Sequence, residues 1–79
     1  MNLKVLYFAS LRDAAGCETE NVSTASADAR GVYDELRRRH GFALLPERIR
    51  IAVNGEFAKW DCVLADGDEV AFLPPVSGG

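Results

Sequence analysis

Asp66-Gly67-Asp68-Glu69-Val70-Ala71-Phe72-Leu73-Pro74-Pro75-Val76-Ser77-Gly78-Gly79 closes the chain, and its reading decides the fold. Asp66-Gly67 is a turn dipeptide. Glu69 to Leu73 then alternates. Val70 and Phe72 share one face and Glu69, Ala71 and Leu73 the other, which predicts a strand with one side against a core. Pro74 and Pro75 lack backbone N–H donors, so a sheet ladder stops there while the backbone stays extended. Ser77, Gly78 and Gly79 are small, and Val76 to Gly79 reaches about 13–14 Å when fully extended. The pattern divides the chain into a folded body, residues 1–75, and a tail, residues 76–79. By itself the tail fits a thin arm entering a narrow channel, but a frayed chain end is the commoner fate of such a segment.

Working back from this strand, Asp61 to Asp68 reads as a turn-rich crossing. Arg48 to Asn54 is a strand in which Ile49, Ile51 and Val53 alternate with Arg48, Arg50 and Ala52. Asn54-Gly55 is a strong short hairpin signal, and Glu56 to Trp60 is the returning arm. Phe42 to Glu47 is predicted to be an irregular loop because of Pro46. Before it lies a helix, with Asp28 as N-cap and Ser26 as the alternative. Ala29, Val32, Tyr33, Leu36 and His40 form its apolar stripe, and Gly41 stops it. Gly31 weakens the first turn by about 1 kcal/mol relative to Ala.

The opening, Leu3 to Ala9, is the first strand. Leu3, Val5 and Tyr7 point one way and Lys4, Leu6 and Phe8 the other, a second face more apolar than contact with water requires. Asp13 to Gly16 is predicted to be a turn, and Glu18 to Ser23 a weakly patterned strand. The expectation is an α+β domain with a sheet of about four to five strands and one main helix across one face.

A chain of 79 residues has room for one domain, and 48% hydrophobic with 27% charged residues describes a globular chain. No apolar run approaches the length of a membrane span. Met1 to Leu6 leads straight into a strand without the features of a leader peptide, so a cytoplasmic location is expected. A net charge of −3 argues against nucleic acid as a partner. Arg37-Arg38-Arg39 is read as a solvated last helical turn. Cys17, Cys62 and the single His40 are too few to hold a metal, and no cofactor is expected to be bound.

Three segments carry a family resemblance: Val5-Leu6-Tyr7-Phe8-Ala9-Ser10-Leu11-Arg12-Asp13, Ile51-Ala52-Val53-Asn54-Gly55, and Asp66 to Gly79. Together they resemble the small, sulfur-carrier subunit family of molybdopterin synthase. The resemblance implies a ubiquitin-like β-grasp fold. Its first and last strands would lie side by side in a mixed sheet, and the weakly patterned second strand would take an edge. It also implies that an E1-like activating enzyme uses ATP to adenylate the Gly79 carboxylate, which a sulfur donor protein converts to a thiocarboxylate. The carrier, not an enzyme on its own, would then join a large catalytic subunit in a complex of two small and two large subunits. There it would deliver sulfur to cyclic pyranopterin monophosphate to build the dithiolene. Gly79 would be the reacting residue, and Val76, Ser77 and Gly78 would allow insertion. Phe8, Phe57, Leu73, Pro74 and Pro75 would form the partner interface. Arg12 stands where the family tends to carry Arg, and either pairs with an acidic partner group or is a solvated turn residue.

Three alternatives share these features. One is a carrier of the thiamin type, whose members are usually shorter and lack the Tyr-Phe-Ala-Ser-Leu-Arg type of opening. Another is a ubiquitin-like protein modifier. The last is a β-grasp interaction module with an inert tail.

Overall fold

Leu3, Val5 and Tyr7 are buried along β1 (Asn2–Tyr7), as their alternation requires. The computed structural model describes residues 1–75. After β1 come α1 (Ala9–Ala15), β2 (Thr19–Ser23), α2 (Ala29–His40), a 3-10 turn (Pro46–Arg48), β3 (Arg50–Val53), β4 (Glu56–Ala58) and β5 (Glu69–Leu73). The strands form one five-stranded sheet in the order β2-β1-β5-β3-β4. β1 and β5 run parallel, and the other neighbours pair antiparallel. This is the mixed sheet of a β-grasp fold, with the first and last strands adjacent and β2 at an edge.

α2 supplies Ala29, Val32, Tyr33 and Leu36 to the core. Tyr33 lies at its centre, with ring centroids 5.2 Å from Phe72, 5.4 Å from Trp60 and 6.0 Å from Phe42. Its hydroxyl donates to the Leu44 carbonyl at 2.7 Å, so the polar tip of a buried ring is satisfied. Asp28 caps α2 by accepting from the Gly31 N–H at 2.9 Å. Gly31, unfavourable by propensity, has a steric reason. A Cβ there would lie 2.9 Å from both Cβ and Oγ of Ser26. Ser26 is held in turn, because its hydroxyl donates to Glu35 at 3.0 Å and its N–H donates to Thr24 Oγ1 at 3.0 Å. The buried Thr24 hydroxyl donates to the same Glu35 carboxylate.

Several expected boundaries change. Asp13 to Gly16 is not an independent turn, because Asp13 lies inside α1 and Gly16 is its C-cap. β1 ends at Tyr7, one residue before Phe8 begins to cap α1 through its backbone carbonyl. β3 is shorter than the alternation indicated, since Arg48 belongs to the 3-10 turn and Asn54 to the hairpin turn. Pro46 opens regular structure where an irregular loop was expected. At the first position of a helical turn its missing N–H has no intrahelical partner to lose.

Candidate functional site

β5 is paired on both sides, to β1 and to β3, and it delivers Leu73, Pro74 and Pro75 to the rim of the sheet. The Asp66-Gly67-Asp68 motif sets its register. Asp68 N–H closes a turn onto the Ala65 carbonyl at 3.0 Å. The Asp68 carboxylate accepts from the Ala65 N–H at 2.8 Å and from Asn54 Nδ2 at 3.0 Å. These bonds hold its carboxyl below the usual Asp range. Asn54 Oδ1 accepts from Glu69 N–H at 2.9 Å, and Asp66 Oδ1 accepts from Asn2 N–H at 2.6 Å. The Asn54-Gly55 turn, with φ of 52° and 86°, has the primed geometry that suits a two-residue hairpin. Its Asn side chain thereby also locks the start of β5.

The face of the sheet away from α2 carries a row fixed by register: Thr19, Leu6, Ala71, Ala52 and Phe57 lie opposite one another in turn. Leu73 faces Arg50 in the neighbouring row. Phe8 and Leu73 each stand one residue beyond the paired Tyr7 and Phe72. Phe57 is 67% exposed and Phe8 43%, so both are available to a partner. The Arg50 guanidinium lies 4.6 Å above the Phe57 ring.

The five expected interface residues fall into two groups. Phe57, Leu73, Pro74 and Pro75 line one shallow groove of about 440 Å³ together with Glu47, Arg48, Ile49 and Arg50. Phe8 lines another with Leu6, Tyr7, Arg12, Glu18 and Thr19. Leu6, Ala71 and Ala52 bridge the two across the strands. Their part is invisible in one strand read alone, because it comes from register across four of them. Arg12 lies 3.6 Å from Glu18, a pairing within the chain. Val76, Ser77, Gly78 and Gly79 lie outside the described residues.

Cys17 and Cys62 are half-buried free thiols. Burial, with Asp61, Asp28 and Asp68 nearby, pushes the Cys62 thiol up and away from the reactive thiolate. Among the described residues no group of three or more His, Cys, Asp or Glu side chains is placed to hold a metal ion. No helix among them is long and apolar enough to cross a membrane.

Residues 5–79 match the ThiS family. The chain belongs to that family. This ThiS-family chain is 37% identical, over 100% of its length and 99% of the relative's, to the molybdopterin synthase sulfur carrier subunit of Mycobacterium tuberculosis. It is 35% identical to the same subunit of Escherichia coli, over 98% of its length and 99% of the relative's. Among solved structures, SAMP1 from Haloferax volcanii superposes with a TM-score of 0.83 at 32% identity, covering 100% of both chains. A putative molybdopterin converting factor subunit 1 from Pyrococcus furiosus gives 0.79 at 35%, covering 96% of this chain and 99% of that one. The complex of subunits 1 and 2 of the molybdopterin-converting factor from Helicobacter pylori contains a chain matching at 0.70 and 25%, covering 100% of both.

Proposed function

We propose that this ThiS-family chain is the sulfur-carrier subunit of a molybdopterin synthase, working in the cytoplasm. The observation that carries the reading is full-length similarity to subunits of that name, at 35–37% identity with almost no part of either chain left over. The matched region extends through Gly79.

The chemistry follows from a carboxylate's weakness as an acyl donor. In the free acid the group that must leave is oxide or hydroxide. Attack of the Gly79 carboxylate on the α-phosphorus of ATP, within an E1-like enzyme, expels pyrophosphate and installs AMP as a good leaving group. A sulfur donor at the oxidation level of hydrosulfide adds to the acyl carbon, AMP departs, and a thiocarboxylate remains. The body then docks on a large subunit, which supplies the catalytic pocket, in an assembly of two small and two large subunits. Val76, Ser77 and Gly78 enter that pocket and bring the sulfur on Gly79 to cyclic pyranopterin monophosphate. Each loaded carrier brings one sulfur, so the dithiolene takes two deliveries, and hydrolysis restores the Gly79 carboxylate. ATP belongs to the activating enzyme, and the carrier itself holds no cofactor. The Helicobacter pylori complex supports a large-subunit partner of this kind.

The likeness to SAMP1, a small archaeal modifier protein, favours a second reading, in which the activated Gly79 is passed to lysines of other proteins. Intact mass spectrometry separates the two. With activating enzyme, ATP and a sulfur source, a carrier gains the mass of one sulfur in place of one oxygen, and adding the large subunit and pterin substrate reverses the gain. A ladder of covalent conjugates without the thiocarboxylate would establish the modifier reading instead.

A further inference from the structure

The root of the tail carries two bare cations. Arg48 and Arg50 line the same groove as Phe57, Leu73, Pro74 and Pro75. Both are exposed, and neither lies within ion-pair distance of a carboxylate among the described residues. Glu47, the one acid on the groove wall, reaches out to Arg30 at 3.9 Å instead. Arg12, Arg39, Lys4 and Arg30 are each paired within the chain. In a chain of net charge −3, two arginines unpaired among the described residues, beside an apolar floor, form a local reversal of sign.

Arg50 is also pre-positioned. Its guanidinium stacks over Phe57 at 4.6 Å, and its strand partner is Leu73, the last residue of β5. A stacked arginine keeps its N–H donors at the edge of its plane, free for a carboxylate, and it loses less freedom on binding than a solvated chain does. The floor offers apolar area, and the rim offers donors in a fixed fork that suits a planar anion.

We propose that this groove is a docking site for an acidic segment of the large subunit, one that places a carboxylate side chain on Arg50 and Arg48 and an apolar side chain beside Phe57 and Leu73. The inference rests on the carrier reading, and the large subunit is chosen because a solved relative stands in complex with subunit 2. The site lies where Pro74 and Pro75 leave the sheet, so this contact orients the body relative to the mouth of the pocket that takes the tail. Charge attraction at this point also speeds productive encounters and makes them sensitive to salt.

The test measures the affinity of the full chain for the cognate large subunit by titration calorimetry at low and high salt. Arg50→Glu and Arg48→Glu are compared with wild type, with Arg50→Lys as the conservative variant. Each variant's thermal midpoint is checked by circular dichroism, which separates lost docking from lost folding. The expected result is a Kd raised about tenfold or more by Arg50→Glu. A smaller rise is expected for Arg48→Glu, partial retention for Arg50→Lys, and a flatter salt dependence for both reversals. Equal affinity for wild type and Arg50→Glu overturns the groove while leaving the carrier reading standing. No binding of wild type overturns both. Intact large-subunit affinity combined with slowed thiocarboxylation would assign the acidic segment to the activating enzyme and overturn the proposal.

Discussion

The Tyr7 hydroxyl donates a 2.6 Å hydrogen bond to Glu20, joining a central strand to an edge strand beneath the end of α2. The same carboxylate meets His40 Nε2 at 2.8 Å and Arg39 at 3.0 Å. Burial first, and then this hydrogen bond, push the Tyr7 phenol well above its ordinary value, so it remains a donor. One acid thus fastens the weakly patterned β2 to both layers of the fold. Tyr7→Phe is expected to cost about 1 kcal/mol, the net value of a hydrogen bond whose acceptor keeps other partners. Urea unfolding checks it. An unmoved midpoint would mean that His40 and Arg39 hold Glu20 without help.

Acid should weaken the fold through two glutamates. Burial raises Glu20, but hydrogen bonds from Tyr7, His40 and Arg39 outweigh it and bring the carboxyl below its ordinary 4.5. Glu35 is lowered first by the Thr24 hydroxyl and then by Ser26, against some desolvation. Both groups bind protons more weakly folded than unfolded. Their stabilisation is therefore complete above the unfolded value and is lost as pH falls through the folded ones. Thermal midpoints recorded from about pH 7 to about pH 3 should fall below about pH 5. In Glu35→Gln that fall should be shallower, and an identical slope would remove Glu35 from the account.

Helix propensity alone says that Gly31→Ala stabilises by about 1 kcal/mol. The structure reverses the sign. The added methyl meets Ser26 Cβ at 2.9 Å, and Ser26 is itself tied to Glu35 and Thr24. Gly31→Ala is expected to destabilise by about 1–2 kcal/mol, within the range for overpacking. Chemical denaturation decides between the two signs.

Phe8→Asp should separate docking from folding. The Phe8 carbonyl, not its side chain, accepts the Leu11 and Arg12 N–H groups, and no side-chain cap exists there now. An aspartate at an N-cap can accept such a donor. The thermal midpoint should hold or rise, while affinity for the large subunit falls about tenfold. Loss of the folded state would place Phe8 in the core instead.

Gly79→Ala should spare the fold, since β5 ends at Leu73. On the carrier reading, an added methyl beside the Gly79 carbonyl would hinder in-line approach in the partner's pocket. Combined thiocarboxylation and sulfur transfer should slow by about a hundredfold. Mass spectrometry following single turnovers reads both steps, and unchanged rates would remove the steric argument.

Much of the fold was legible because its strands obey simple alternation. Val70 and Phe72, Leu3, Val5 and Tyr7 were assigned to their faces without tertiary information, and Asp28 to the cap of α2. α1 was not legible. Its N-cap Phe8 offers no side-chain signal, and Leu11 is its one buried residue, so a one-faced stripe never develops. The pair Leu11 and Ala15, four apart before Gly16, was the available hint. Pro46 misled because the rule that bars it from a helix interior does not apply to a first position. On the exposed side of the sheet, the resemblance named Phe8, Phe57 and Leu73 as interface candidates, and the structure places them along two grooves. Arg50 was not named, since its place opposite Leu73 and over Phe57 comes from register between strands.

β5 lies between β1 and β3, and that placement has a consequence for amide exchange. Final segments of a chain commonly open first and exchange their amide protons fastest. Here the amides of Val70 and Phe72 sit in fully buried residues on an inner strand, so they should be among the last to exchange in deuterated solvent. On the carrier reading, the chain that would bear the reacting carboxylate continues from a strand expected to be among the slowest to open. If the proposed cycle holds, repeated loading and insertion would then act beyond Pro75 without unzipping the sheet.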